Sequence, residues 1–296
     1  MGSLSEAISS SFQSMGGEVR TNSEVDRIIV RGRKATGVAL ISGEEITARA
    51  VISNLDAKRT FLEIMDRNDL PEQLVHRAKN FKIRGSSGKV NIALDGMPDF
   101  PALPNNSPLT LGHMHFTDTL ERLERAYDDW KDDRWSSDPY VDMVIPTQYD
   151  PTMTPPGKHM MSVFVQYCPV EAEGGWTDLK RDAFGAAVID QIAEYSPNFK
   201  ELILHAEIRT PREIEAEGGL TEGNIFQGEL TLDQLMFNRP FPGYAQYRGP
   251  VKNMYMCGSS THPGGGVMGA PGANAAREIL KDLGRPDSTP RDFGDD

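Results

Sequence analysis

The sequence has little of what a redox-active disulfide, a zinc site or a membrane anchor requires. Its only cysteines, Cys168 and Cys257, lie far apart and form no CxxC pair, so neither a dithiol exchange site nor a metal site is predicted. No apolar run approaches the roughly 20 residues that span a bilayer, and the opening residues show no basic segment before an apolar one. We therefore expect a cytoplasmic protein without a membrane span.

Positive charge is also scarce. The 43 Asp and Glu residues outnumber the 31 Lys and Arg residues, which gives a formal net charge of -12. Because the basic residues do not cluster, a nucleic acid backbone would be repelled, and no nucleic acid partner is expected. Apolar residues make up 38% of the 296 positions, which is enough to bury one or two packed cores.

The first part of the chain predicts a helix followed by a three-stranded meander. Ser3 and Glu6 form a capping box, and Gly16-Gly17 ends the helix. The helix carries apolar residues along one face, namely Leu4, Ile8, Phe12 and Met15. The strands are predicted at Val25 to Val30, through Val38 and Leu40, and at Ile46 to Val51; Asp56 is then the N-cap of a helix over 57–65.

A change of pattern near Gly85 predicts a second unit. Longer strands and helices follow in irregular order as far as Arg239, with a capped helix start at Thr210-Pro211 and Glu213. We expect a mixed sheet covered by helices, and an α+β or α/β fold overall. The predicted division is 1–84 with 240–284 as one domain, 85–239 as the second, and 285–296 as a flexible tail.

The last quarter of the chain carries a strand, a glycine-rich turn and a helix. The strand Met254 to Cys257 is followed by the turn from Gly258 to Gly269 and by a helix through Ala275 and Leu283. A glycine-rich turn at a helix start lets backbone N–H groups approach an anionic or partly negative ligand oxygen. Glycine clusters are also common in surface loops, so the run of glycines alone leaves both interpretations open.

The sequence around this turn, MYMCGSSTHPGGGVMGAPGANAA, resembles the carboxyl-terminal flavin motif of the phytoene desaturase-like FAD oxidoreductases. The opening MGSLSEAISSSFQSMGGEVRTNSEVDRI and the stretches YDPTMTPPGKHMMSVFVQY and GGLTEGNIFQGELTLDQLMFNRP resemble further segments of that family, so the resemblance covers nearly the whole chain. It implies FAD, a hydrophobic substrate, an incomplete glutathione-reductase-like Rossmann domain for FAD, and a substrate domain at 85–239.

The resemblance also implies roles for single residues. Val25 would touch adenine through its backbone, and Ser53 and Asn54 would lie near the adenosine half. Gly258 and Ser259 would meet the ribityl or pyrophosphate region, where many relatives have an acidic residue in place of the serine, so this contact is weaker or differently made. The isoalloxazine would lie beside Gly266, Val267, Met268 and Gly269, and Asn274 would brace the start of the following helix.

Members of the family begin with a strand, a GxGxxG turn and a helix, and this arrangement is not found at the start of this sequence. Gly16-Gly17 follows a predicted helix, and the glycines Gly85 and Gly88 precede a strand. We therefore expect the carboxyl-terminal part of a longer enzyme, as a fragment, a truncated reading frame or one half of a split protein. The expected partner is a second copy of the chain or a complementary N-terminal chain that supplies the missing loop.

Two functions remain possible at this point, and so do two interpretations of each histidine site. The chain is either an FAD-dependent oxidoreductase that removes hydride or isomerises its substrate, or a non-catalytic subunit. His262 is the candidate catalytic residue, as a proton donor or substrate-orienting group, or it braces the turn by hydrogen bonds. His113 and His115 alternate on a strand without a carboxylate nearby in the sequence, which favours exposed surface histidines over a metal pair.

Overall fold

A computed structural model describes residues 2–104, 107–117 and 119–285. The predicted tail beyond Arg285 lies outside the described residues. The helices are α1 (Gly2–Ser14), α2 (Glu72–Lys79), α3 (Leu120–Lys131), α4 (Asp178–Tyr195), α5 (Phe199–Leu202), α6 (Pro211–Gly218) and α7 (Ala270–Asp282). The strands are β1 (Val25–Arg31), β2 (Lys34–Leu40), β3 (Glu45–Thr47), β4 (Val51–Ser53), β5 (Ser87–Leu94), β6 (Met114–His115), β7 (Tyr140–Val144), β8 (His159–Gln166), β9 (Ile203–Arg209) and β10 (Met254–Met256).

The chain divides into two compact units. Of the described residues, the first unit comprises those within 1–81, 236–263 and 269–296, and the second comprises those within 82–235 and 264–268. Both units combine helices and sheet, in agreement with the predicted α/β content. Within the described ranges, no helix has the length and hydropathy needed to cross a membrane.

The first unit holds a three-stranded antiparallel meander, β1-β2-β3, and a separate two-stranded parallel sheet of β10 and β4. The predicted third strand over 46–51 is therefore wrong in extent. Pairing with β2 ends at Thr47, and a separate strand that pairs with β10 begins at Val51. Val51 and Ser53 are buried against β10 while Ile52 is exposed. The buried pairing with β10 thus takes these residues out of the meander.

The two predicted helices of this unit form with differences. Asp56 does cap the second one, since its Oδ1 accepts from the N–H groups of Lys58 (2.8 Å) and Arg59 (3.0 Å). The segment is nevertheless a single π-helical turn, because the Ile64 N–H reaches back five residues to the Arg59 carbonyl (3.1 Å). α1 forms over the predicted segment, but it already includes Ser3, so the predicted capping box does not start it. Its apolar side chains Leu4, Ile8, Phe12 and Met15 are all exposed.

The second unit is built on a five-stranded sheet in the order β6-β7-β8-β5-β9. Every neighbouring pair is antiparallel, so the predicted mixed sheet is wrong. α4 joins β8 to β9, and these two strands do run in the same direction, but β5 lies between them and opposes both. One face of the sheet packs into the core, which includes Val90, Ile92, Val141, Met161, Val163, Phe184 and Ile192.

Candidate flavin site

The candidate site begins where β4 and β10 end. Because the two strands are parallel, their carboxyl ends lie side by side, which is where ligands bind in open α/β sheets. The Cys257 N–H donates to the Ser53 carbonyl (2.9 Å), and the Ala57 N–H donates to the Ser260 hydroxyl (3.1 Å). The turn that follows β4 is therefore tied directly to the glycine-rich turn that follows β10.

A cavity of about 350 Å³ opens at the end of β4. The three residues that the resemblance assigns to the adenosine half, Val25, Ser53 and Asn54, all line it. Arg59 and Glu24 line it as well, and they could not be predicted because neither belongs to a recognisable motif. The fold thus brings residues from β1 and from the end of β4 around one space large enough for part of a ligand.

Ser53 and Asn54 contribute differently to this cavity. The Ser53 hydroxyl is buried and shares a hydrogen bond with Thr60 (2.8 Å), and it accepts from the Leu55 N–H (3.3 Å). Its side chain therefore fixes the turn after β4. Asn54 is exposed beside the cavity, so its amide is accessible to a ligand.

The turn after β10 has its carbonyl groups engaged by protein donors. Thr261 donates to the Gly258 carbonyl through its N–H (2.9 Å) and its hydroxyl (2.8 Å), and Arg239 Nε donates to the Ser259 carbonyl (2.9 Å). Within the described part of the chain, the N–H groups of Gly258 and Ser259 have no acceptor. Two backbone donors at a strand end suit a negatively charged or electron-rich ligand oxygen.

His262 lies in this turn with its imidazole Nδ1 buried and without a hydrogen-bond partner among the described residues. The turn is braced through the backbone instead, since the Tyr247 hydroxyl donates to the His262 carbonyl (2.8 Å). Burial raises the pKa of Tyr247, and a hydrogen bond with the Asn274 side chain opposes that rise. Tyr247, which the sequence did not single out, thereby links Asn274 on α7 to the turn.

The glycine-rich segment has unusual backbone conformations. Gly264, Gly266 and Gly269 have positive φ values of 112°, 144° and 65°, and so does Val267, at 57°. A β-branched residue rarely adopts this region, and such strain concentrates at ligand sites. Val267 and Met268 are 70% and 56% exposed. The segment therefore presents glycine backbone and two apolar side chains, a combination that suits a flat aromatic ring.

These glycines also have GxGxxG spacing, at 264, 266 and 269, before α7. The arrangement differs from a dinucleotide fingerprint, in which the first glycine makes the tight turn directly after the strand. Here residues 257–263 intervene between β10 and Gly264. Gly269, the N-cap of α7, offers no side-chain cap to the first amides of the helix. Those amides stay available to a ligand.

In the second unit, the sheet face opposite the core carries polar groups that the sequence did not reveal. Lys89 on β5 bonds to the Ser162 hydroxyl, and burial lowers the pKa of this lysine. Asp142 on β7 lies 2.9 Å from His113 Nδ1 and 3.9 Å from His115 Nδ1. The sequence around these histidines contains no carboxylate, but strand pairing brings Asp142 opposite His115, and both histidines are exposed, as expected. No group of three side chains suited to a metal occurs within the described residues.

A family model for flavin containing amine oxidoreductases matches residues 1–280. The chain belongs to this family. It is 40% identical over 293 residues to the pyridine nucleotide-disulfide oxidoreductase domain-containing protein 2 of Rattus norvegicus, covering 96% of this chain and 50% of that protein. It is 26% identical over 279 residues to a lycopene-forming phytoene desaturase of a Paracoccus strain, covering 92% and 52%. The chain thus spans about half the length of these relatives.

Among solved structures, a putrescine oxidase variant superposes with a TM-score of 0.56 at 13% identity, covering 93% of this chain and 51% of the oxidase. At that identity the likeness shows the fold alone, which is that of flavin-dependent amine oxidases. The resemblance to the phytoene desaturase-like enzymes is confirmed. The glutathione-reductase-like description of the first domain, the domain limits and the site residues stay predictions.

FAD is the cofactor of the family, and the residues of this chain fit it. Three observations support this fit: among the described residues the amides of Gly258 and Ser259 have no acceptor and the buried Nδ1 of His262 has no partner, and a cavity lies at Asn54. At Gly266 a Cβ would lie 2.8 Å from the Met268 side chain, and the positive φ also disfavours any other residue there.

Proposed function

We propose that this chain forms the carboxyl-terminal portion of an FAD-dependent oxidoreductase that dehydrogenates or isomerises a hydrophobic substrate. The observation that carries the proposal is the pairing of β4 with β10, which puts the cavity at Ser53 and Asn54 beside the turn at Gly258. The names of relatives, lycopene-forming phytoene desaturase and prolycopene isomerase, support a hydrophobic substrate and both reaction types.

The residues take the following roles. Val25, Ser53 and Asn54 shape the cavity for the adenosine half, and the N–H groups of Gly258 and Ser259 bind the ribityl or pyrophosphate oxygens. Val267 and Met268 give the ring an apolar contact, while the flanking glycines keep backbone N–H groups accessible to its oxygen. When bound, FAD accepts the two electrons of a dehydrogenation. His262 holds or moves a proton at its Nδ1 atom.

A second candidate function is a split or non-catalytic subunit, and two observations favour it. The chain spans about half the length of its relatives. β4 lies at the edge of its sheet. Its register with β10 points the N–H and C=O groups of Ile52 away from β10. An uncovered strand edge invites another strand. The partner would be a chain that supplies the strand and the GxGxxG turn.

Titration of the purified chain with FAD, followed by quenching of flavin fluorescence, tests the proposed site. Val25→Trp fills the cavity at β1, and we expect it to weaken FAD binding at least about fivefold, since a steric clash of about 1–3 kcal/mol raises the Kd by roughly 5- to 150-fold. Val19→Trp adds the same ring at an exposed position outside the cavity and should bind FAD like the unmodified chain. Equal binding by the two variants would reject the cavity as the adenosine site.

The same titration separates the two functions. Stoichiometric flavin in a well-behaved monomer supports the oxidoreductase without a partner. A colourless chain that takes up FAD only with a second chain carrying the GxGxxG turn supports the split subunit. Failure to bind FAD in both settings would overturn the proposed function.

A further inference from the structure

Arg239 is the largest side chain that the described part of the fold buries completely, with 0% of its surface exposed. Burial lowers the pKa of its guanidinium to about 10, so the group is still a cation at neutral pH. Removing a charge from water costs several kcal/mol even when partners are present, and an apolar residue of similar volume often serves the fold equally well. A buried arginine therefore calls for a reason beyond packing.

The contact that suggests the reason is a hydrogen bond to the glycine-rich turn. Arg239 Nε donates to the Ser259 carbonyl (2.9 Å), and the bond lies within the first unit. A trans peptide points its N–H opposite to its C=O, so a donor that holds the Ser259 carbonyl also sets the direction of the next amide. Thr261 holds the Gly258 carbonyl in the same way, and this sets the direction of the Ser259 N–H.

We infer that Arg239 is a positioning residue for the flavin-contacting turn Gly258 to Thr261. It fixes the Ser259 carbonyl on the protein side and, together with Thr261 at the Gly258 carbonyl, holds the backbone of the turn that carries the Gly258 and Ser259 N–H groups. Its charge also adds positive potential behind these N–H groups, which favours an anionic or electron-rich ligand oxygen. This inference rests on the proposed flavin site and adds a residue to it that no sequence motif marks.

A purely structural role makes a different prediction. If Arg239 only filled space, Arg239→Met would keep most of the volume and remove the cost of the buried charge, leaving the turn unchanged. If Arg239 positions the turn, Arg239→Met should free the Ser259 carbonyl and loosen the turn, while Arg239→Lys keeps the charge and one donor. The turn should then be held less firmly in Arg239→Lys than in the unmodified chain, and more firmly than in Arg239→Met.

Hydrogen–deuterium exchange of the full chain, read over the backbone amides of 258–262, tests this difference. We expect Arg239→Met to raise exchange of the Thr261 amide, which donates to the Gly258 carbonyl, by about tenfold, the effect of losing a hydrogen bond from a charged donor that holds the turn. Arg248→Met is the matched control: it removes an arginine of the same unit that donates to Asp282, Glu278 and the Gln246 carbonyl, all outside the turn. Exchange at 258–262 should be unchanged in that control.

Unchanged exchange at 258–262 in Arg239→Met would overturn the inference. If Arg239→Met unfolds, Arg239→Lys is measured in its place. Faster exchange confined to the turn supports the positioning role, and faster exchange throughout the first unit contradicts it. FAD titration of the same variants gives a second readout, with weaker binding expected in the order Arg, Lys, Met. Because exchange is measured without flavin, absence of FAD binding would reject the proposed function and leave the result for Arg239 readable.

Discussion

At the residue scale, Gly85 shows how a close backbone contact can require glycine at one position. A Cβ at this position would lie 2.0 Å from the Glu222 carbonyl oxygen, which belongs to backbone and cannot move aside cheaply. We expect Gly85→Ala to lower the free energy of unfolding of the second unit by about 2 kcal/mol. Urea unfolding followed by tryptophan fluorescence measures it, because Trp130, Trp135 and Trp176 all lie in this unit.

Gly112→Ala is the control for that measurement. Gly112 has a φ of -91°, and the nearest atom to an added Cβ is 4.0 Å away, so the substitution should leave stability unchanged. Equal effects of the two alanines would show that the close contact between Gly85 and Glu222 does not limit stability.

His262 makes a second prediction at this scale. Because its buried Nδ1 has no hydrogen-bond partner in the described residues, His262→Ala should change the free energy of unfolding by less than about 0.5 kcal/mol. Tyr247→Phe, which removes the bond to the His262 carbonyl, should cost about 1 kcal/mol. Thermal or urea unfolding of both variants decides. A larger loss in His262→Ala would mean that the imidazole braces the turn and would weaken its candidacy for proton transfer.

Single residues of the candidate site were predictable only where a motif carried them. Val25, Ser53 and Asn54 come from the resemblance, and they do line one cavity. Arg239 and Lys89 were missed because burial of a charged side chain depends on the tertiary fold. A charged residue next to apolar strand positions, as at Lys89 before Val90, was the available signal for the second of them.

At the element scale, helices and alternating strands were predictable because their signals are local. The capping box at Thr210 and Glu213 is present in α6, and β5 follows the alternation of Val90, Ile92 and Leu94. The third meander strand and the mixed sheet were wrong because pairing partners lie far apart in the sequence. β4 pairs with β10, about 200 residues away, and β5 enters between β8 and β9.

The end of α7 is held by a charge pair whose strength should depend on pH. The Asp282 carboxylate accepts two hydrogen bonds from Arg248, both 2.8 Å, and one from the Tyr255 hydroxyl (3.0 Å). These bonds, chiefly that of Arg248, lower the pKa of Asp282 in the folded chain. A carboxyl with a lowered folded pKa stabilises the fold above its unfolded pKa, and this stabilisation is lost as pH falls through the folded value.

Asp282→Asn should therefore lower the free energy of unfolding by about 1 kcal/mol at pH 7, the range for a partly exposed bidentate pair. The difference from the unmodified chain should shrink below about pH 4, as the carboxyl of Asp282 becomes protonated. Urea unfolding across this pH range measures it. Asp26→Asn, which affects an exposed pair with Arg27, serves as the control and should have little effect. A difference that stays constant down to pH 3 would contradict the assigned cause.

At the scale of the whole molecule, two apolar or open surfaces of the first unit are uncovered in the described chain. The apolar face of α1 is exposed from Leu4 to Met15, and β4 ends its sheet at Ile52, which is 48% exposed. Such surfaces favour association. The sequence predicted the helix α1 but not β4 as a separate strand, and it could not show that either surface stays uncovered, because burial is a property of the folded chain.

If a second chain completes the sheet at β4, a proline at Ile52 should prevent it. Proline is tolerated on an edge strand, but it removes the N–H that an added strand would need. We expect the unmodified chain to retain flavin after co-expression with the amino-terminal half of the 40% identical rat relative, and Ile52→Pro to retain little. Ile52→Thr keeps the N–H and the branched Cβ, so it should behave like the unmodified chain. Flavin absorbance per mole of protein after desalting measures retention, and equal retention by the proline and threonine variants would reject strand addition at this edge.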